Sequence, residues 1–136
     1  MDGRAFLVVA QELVAGPTEA HWRASVGRSY YALMLEGRDR LLSWGLPVPP
    51  RQNVHSWVRL KLLYAKDGDL KAYGKALDRL VSWRNEADYH LSTPGRYATR
   101  TAANQAIAIV QTALAALDQI EADPARRATA IASLPP

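Results

Sequence analysis

Hydrophobic positions recur every three or four residues over long stretches of the chain, and no stretch of useful length alternates as a β-strand would. Two stretches show this most clearly. In the first, the apolar stripe is Trp22, Val26, Tyr30, Leu33, Gly37, Leu41 and Trp44. In the second, the stripe is Leu70, Tyr73, Leu77, Leu80, Arg84, Ala87 and Leu91. This pattern predicts amphipathic α-helices that each bury one face.

Five helices are predicted between breaks rich in proline and glycine. They cover about residues 3–15, 19–44, 53–66, 69–91 and 98–122. Three prolines within 47–50 exclude a helix there, because proline lacks an N–H donor and fixes φ. Ser92-Thr93-Pro94-Gly95 is predicted to end the fourth helix.

The domain prediction follows from these elements. Residues 1–123 are predicted to form an all-α, antiparallel up-and-down bundle of four to five helices. Residues 124–136 are predicted to be a C-terminal tail, partly disordered or adding one helical turn.

Composition narrows the function classes. The 136 residues contain no cysteine, so disulfides, thiolate metal sites and thiol nucleophiles are excluded. The formal net charge is +4, carried mainly by arginine, which permits nucleic acid as a partner without requiring it. Glycine-rich phosphate loops and H-E-x-x-H patterns are absent, and we expect neither metal nor cofactor.

Two further features bear on localisation. No apolar run approaches roughly 18 residues, so no membrane span is expected. The N-terminal residues lack the layout of a signal peptide, and a cytoplasmic location is therefore expected.

Arg84 is the most unusual position in the pattern, because a guanidinium rarely occupies an apolar stripe without a paired acid or a ligand. One interpretation is a structural ion pair with Glu36 or Asp39 of the second predicted helix. The other interpretation is that Arg84 binds a ligand.

An arginine can bind the scissile phosphate of RNA while a histidine moves a proton to or from the 2′-hydroxyl or the leaving 5′-oxygen. The candidate catalytic residues are Arg84, Asn85 and His90, and such a site needs no metal. The spacing of Arg84 and His90 is itself uninformative, because about one such pair is expected by chance in this composition.

Helix geometry constrains that pairing. Six residues correspond to about 9 Å of rise and place the two side chains about 120° apart around the axis. Either the helix loosens near its end, or two copies meet in a two-fold dimer whose interface uses the same patch twice.

Three neighbouring residues are supporting candidates for substrate binding. Tyr31 is expected to border the cleft, and Asp88 can form an i,i+4 ion pair that holds Arg84. Tyr89 is expected to pack at the end of the bundle, with base stacking as the alternative. His55 is interpreted as a cap or core residue rather than a ligand.

Three motifs in this order resemble the HEPN superfamily, most closely its small bacterial and archaeal branch. That branch reads roughly R-x-Y-Y-A, then H-x-x-V, then R-x-x-A-D-Y. The corresponding segments here are Arg28-Ser29-Tyr30-Tyr31-Ala32, His55-Ser56-Trp57-Val58 and Arg84-Asn85-Glu86-Ala87-Asp88-Tyr89. The resemblance covers about residues 5–120.

The resemblance implies an antiparallel helical bundle that is usually a homodimer. Many HEPN proteins are metal-independent endoribonucleases with an R-x(4–6)-H motif, which here would be Arg84, Asn85 and His90. HEPN toxins are commonly neutralised by a small nucleotidyltransferase-like antitoxin. Other members lack the histidine and act as non-catalytic modules that bind a protein partner or a nucleotide, and this alternative stays open.

Overall fold

A computed structural model describes residues 1–92 and 95–136, which form six α-helices and one short 3-10 turn. The helices are α1 (Ala5–Val14), α2 (Glu19–Ser43), α3 (Val54–Leu63), α4 (Gly68–Tyr89), α5 (Thr101–Ala122) and α6 (Pro124–Ala132), and the 3-10 turn is Gly95–Tyr97. No strand occurs in the described residues. The prediction of an all-α bundle is confirmed.

The first five helices lie where the hydrophobic pattern predicts them, within a few residues at each end. α4 ends at Tyr89, before the predicted break. Thr93 and Pro94, which belong to that predicted break, lie outside the described residues. No helix in the described part of the chain is both long enough and apolar enough to cross a membrane.

α2 is the central helix of the bundle, and it packs against α1, α4 and α5. Its apolar stripe is buried from Val26 to Leu41. α3 packs mainly on α4, whose stripe is buried at every position from Leu70 to Leu80 and again at Ala87. Leu91, the last predicted member of that stripe, lies beyond α4 and is 70% exposed.

The backbones of α3 and α4 approach each other closely at Gly74. A Cβ atom on Gly74 would lie 2.2 Å from the backbone nitrogen of Leu63 and 2.5 Å from its Cα. Only glycine fits there, and its missing side chain sets the spacing of the two helices that carry His55 and Arg84.

α2 and α4 are joined by buried polar contacts as well as by apolar packing. The hydroxyl of Tyr73 on α4 donates to the backbone carbonyl of Leu33 on α2. Arg23 of α2 donates through Nη1 to the carbonyls of Ala87 at 3.0 Å and His90 at 3.3 Å, at the C-terminal end of α4. These contacts fix the position of α2 along α4.

The C-terminal segment differs from the predicted tail and adds a sixth helix to the predicted four to five. The Asp123 side chain caps α6 by accepting from the backbone N–H of Ala125 at 3.0 Å, and Pro124 occupies the first helical position. Ala130 is fully buried against the bundle. The predicted tail begins at residue 124, but an acidic residue at 123 followed by proline at 124 is also a signal that starts a helix.

α6 is tied to the start of α4 by an arginine. Arg126 donates to the carboxylates of Asp67, the N-cap of α4, and of Asp69. The hydrogen bonds from Arg126 hold the pKa of Asp67 below its usual value of 3.8. The ionised form of Asp67 therefore stabilises the fold above that usual pKa, and this contribution is lost as the pH falls through the lowered pKa of the folded state.

We expect Asp67→Asn to loosen α6. Asparagine keeps the N-cap acceptor of α4 but removes the charge that binds Arg126. The amides of α6 should exchange several-fold faster at neutral pH, measured by hydrogen–deuterium exchange. The stability of this variant should also fall less than that of the wild type below about pH 4.

Asp69→Asn is the matched control. Asp69 also binds Arg126, but its side chain is 57% exposed, so this ion pair is screened by solvent. The substitution should change α6 exchange little. Equal effects of the two substitutions would contradict the role given to Asp67.

Candidate functional site

Arg84 projects from α4 toward α2, and its side chain is 22% exposed. Its Nη2 donates to the hydroxyl of Tyr31 at 3.1 Å, and its Nη1 donates to Oδ1 of Asn85 at 3.2 Å. Both acceptors are neutral. The two terminal nitrogens are therefore held in place by neutral groups and face no carboxylate of their own among the described residues, which leaves them suited to an anion.

The third nitrogen of Arg84 faces a carboxylate. Its Nε lies 3.1 Å from Oδ2 of Asp88, which confirms the i,i+4 ion pair expected from the spacing. Nε is buried and makes no hydrogen bond of acceptable geometry among the described residues. We interpret the contact with Asp88 as an electrostatic one that orients the guanidinium.

The ring of Tyr31 lies close to two other aromatic rings and two guanidinium groups. Its ring lies 6.1 Å from that of Phe6 and 5.7 Å from that of Tyr30, measured between centroids. The guanidinium carbons of Arg28 and Arg84 lie 5.1 Å and 5.5 Å from its centroid. Both distances fall within the range for attraction between a cation and an aromatic face.

His55 lies beside this cluster in the first turn of α3. Its Nδ1 is 2.7 Å from the hydroxyl of Tyr30, a residue that is 2% exposed. Burial, followed by the charges of Arg84 and Arg38, lowers the pKa of His55 from its usual 6.5. The imidazole is therefore neutral at physiological pH.

These side chains surround an open cavity of about 330 Å³ between α2, α3 and α4. It is lined by Tyr30, Tyr31, Asn53, His55, Ser56, Arg59, Val81, Arg84 and Asn85. Two lining residues are arginines and none is acidic. Arg59 is 3.7 Å from Asp78, which lies outside the lining. We call this space the Arg84 cavity.

The structure brings together part of the predicted site. Arg84, Asn85 and Tyr31 line one cavity, and Asp88 contacts Arg84 from its edge. The predicted structural ion pair of Arg84 with Glu36 or Asp39 is wrong, because Glu36 binds Arg4 and Asp39 binds Arg38. Asp88, four residues along the same helix, lies closer than either.

His90 and Tyr89 do not join the cavity within one chain. His90 is the C-cap of α4 and is exposed, and its carbonyl accepts from Arg23. Tyr89 is 69% exposed, so the expectation that it packs at the end of the bundle is wrong. The cause is the helical rotation after Arg84, which turns both residues away from the face that contacts α2 and α3.

Sequence reasoning missed His55 and Arg59 as lining residues of this cavity. Both lie on α3, and their place in the cavity that Arg84 lines arises from the packing of α3 on α4. The H-x-x-V motif was the available signal, since it pairs His55 with a buried Val58 on one face of a helix.

The described residues contain no group of three or more His, Asp or Glu side chains arranged to hold a metal ion. Comparison of the chain with protein-family models, curated proteins and solved structures found no match.

Proposed function

We propose that this chain is a HEPN-like protein that binds RNA in the Arg84 cavity and cleaves it without a metal, acting as a homodimer. One observation supports the proposal most directly: residues from all three motifs, Tyr31, His55 and Arg84, line a single cavity whose lining contains two arginines and no acidic residue. Motifs separated in sequence have no structural need to share a cavity that a ligand can enter. A common ligand accounts for this arrangement.

A phosphodiester fits the chemistry of the cavity. A guanidinium matches the geometry of phosphate oxygens, and Arg84 presents two terminal nitrogens bound only to neutral acceptors. Arg59 adds a second positive charge on the opposite wall. In this role Arg84 binds the phosphate and offsets the charge that develops on it during cleavage, while Asn85 orients the guanidinium.

The exposed ring of Tyr89 and the imidazole of His90 lie outside this cavity, at the C-terminal end of α4. Catalysis by Arg84 together with His90 therefore requires a second copy whose His90 reaches the cavity. In a homodimer Tyr89 would also be available to stack on a base.

The proposal is tested with Arg84→Ala, using mixed RNA in EDTA for cleavage and a 2′-O-methyl RNA oligonucleotide for binding. We expect the variant to bind about tenfold or more weakly, with a salt dependence reduced by the loss of about one phosphate contact, and to lose cleavage. Arg84→Lys should recover part of the binding, because lysine keeps the positive charge but lacks the planar guanidinium that can bind two phosphate oxygens at once.

Arg79→Ala is the matched control, an exposed arginine on the same helix that does not line the cavity. It should leave cleavage unchanged and affect binding little. Wild-type protein that neither cleaves RNA nor binds it more tightly than Arg84→Ala would overturn the proposal.

The second candidate is a non-catalytic HEPN-like module that binds a nucleotide or a nucleotidyltransferase-like antitoxin protein. The exposed position of His90 outside the cavity favours it. Intact RNA after incubation with the wild type, together with nucleotide binding that is lost in Arg84→Ala, would establish this candidate instead.

A further inference from the structure

His55 is the histidine that shares a cavity with Arg84. It reaches the cavity from α3, opposite Arg84 on α4, so a group bound between them contacts both helices. His90 is the C-cap of the helix that carries Arg84, and it lies outside the cavity lining. Within one chain, proton transfer at a phosphate held by Arg84 is therefore available only to His55 among the three histidines.

The imidazole of His55 is fixed in orientation by two tyrosines. Its Nδ1 and the Tyr30 hydroxyl are 2.7 Å apart, and the two rings stack with centroids at 5.8 Å and an interplanar angle of 28°. The ring of Tyr31 meets it edge-on at 84°. With Nδ1 engaged by Tyr30, Nε2 is the nitrogen left for a ligand.

The surroundings of His55 keep it neutral. Arg38 and the two tyrosines face it from α2, Arg59 lies on its own helix, and Arg84 faces it from α4. No carboxylate lines the cavity. Its place in the first turn of α3 adds the positive end of a helix dipole, which also disfavours imidazolium.

We propose that His55 is the catalytic residue that removes the proton from the RNA 2′-hydroxyl, with Tyr30 as its positioning residue. This step rests on the proposed function. The tautomer that suits it has Nδ1–H donating to the Tyr30 oxygen, so that Nε2 carries the lone pair.

The step balances without a metal or a cofactor. The 2′-hydroxyl proton passes to Nε2, and the 2′-oxygen forms a bond to phosphorus while Arg84 binds the non-bridging oxygens. The bond from phosphorus to the 5′-oxygen breaks, and the leaving oxygen takes a proton from water. The products are a 2′,3′-cyclic phosphate and a 5′-hydroxyl end, and His55 then releases its proton to solvent.

The test compares His55→Ala and His55→Gln with His90→Ala in single-turnover cleavage of a short RNA in EDTA. We expect both His55 variants to lose cleavage by about 10²-fold or more, a larger loss than that of His90→Ala. Binding of the 2′-O-methyl RNA should change little in all three. Thermal melting shows whether each variant is folded, and glutamine keeps the polarity of the site if alanine unfolds it.

A pH profile separates a proton acceptor from a packing residue. Wild-type cleavage should rise with pH through a midpoint below 6.5 and level off by neutral pH, and this rise should be absent from residual cleavage by His55→Gln. Tyr30→Phe should lower the rate without weakening RNA binding, as expected for a positioning residue.

Cleavage retained by the folded His55 variants and lost in His90→Ala would overturn this inference and leave the proposed function standing. Wild-type protein that binds the 2′-O-methyl RNA through Arg84 but cleaves no RNA would overturn it as well. Wild-type protein with neither activity would overturn both.

Discussion

Gly74→Ala should destabilise the protein by about 2 kcal/mol or more, although alanine is the better helix former by about 1 kcal/mol. The added methyl carbon would lie 2.2 Å from the backbone nitrogen of Leu63 and 2.7 Å from the carbonyl carbon of Leu62. A side chain in the way can rotate aside, but a helix backbone cannot. α3 and α4 must therefore separate, and the loss of their packing exceeds the gain in helix propensity.

The measurement is urea unfolding of the variant, with Gly68→Ala as the matched control. Gly68 is the first residue of the same helix, and no atom apart from its chain neighbours and the backbone of its own helix turn lies within 4 Å of a Cβ placed there. Gly68→Ala should be neutral or stabilise by up to about 1 kcal/mol. A Gly74→Ala protein as stable as the Gly68→Ala protein would contradict the close approach of α3 and α4.

Arg23→Met should destabilise the protein by about 3 kcal/mol and lower its melting temperature by about 10 °C. Arg23 is 7% exposed and donates to the carbonyls of Glu86, Ala87 and His90. The last carbonyls of a helix often lack a partner within it, and the substitution leaves the buried carbonyl of Ala87 without this donor. Methionine fills much of the volume but offers no N–H.

Glu19→Gln provides the comparison that identifies the source of the effect. Glu19 pairs with the Nε of Arg23 at 2.8 Å, but its side chain is 45% exposed. Loss of that exposed i,i+4 pair should cost at most about 0.5 kcal/mol. In hydrogen–deuterium exchange, Arg23→Met should also expose amides at the C-terminal end of α4. A similar loss of stability in both variants would show that Arg23 stabilises the protein through its ion pair with Glu19 rather than by capping α4.

The sequence pattern predicted most of the fold because apolar spacing records directly which helix face is buried. Leu70, Leu77 and Leu80 lie on the predicted stripe and are at most 1% exposed. The pattern failed where a short polar segment is held by capping and ion pairs. α6 is such a segment, since Asp123 caps it and Arg126 anchors it to Asp67.

The site was predictable only where its residues are neighbours along a helix. Asp88 lies one turn after Arg84, and the spacing was enough to predict their ion pair. The relation of Arg84 to His55 depends on how α3 packs on α4, which helical periodicity does not encode. The nearest histidine in sequence, His90, was therefore the natural candidate, although it lies outside the cavity lining.

The polar contacts between α2 and α4 mean that the walls of the Arg84 cavity are held in different ways. Arg23, Tyr31 and Tyr73 bind the two long helices together at three levels, so neither helix can slide without breaking all three contacts. The third wall is carried by α3, a helix of ten residues preceded by a proline-rich segment. Two walls of the cavity are thus joined by direct polar contacts, whereas the wall that carries His55 is positioned by the packing of α3 on α4.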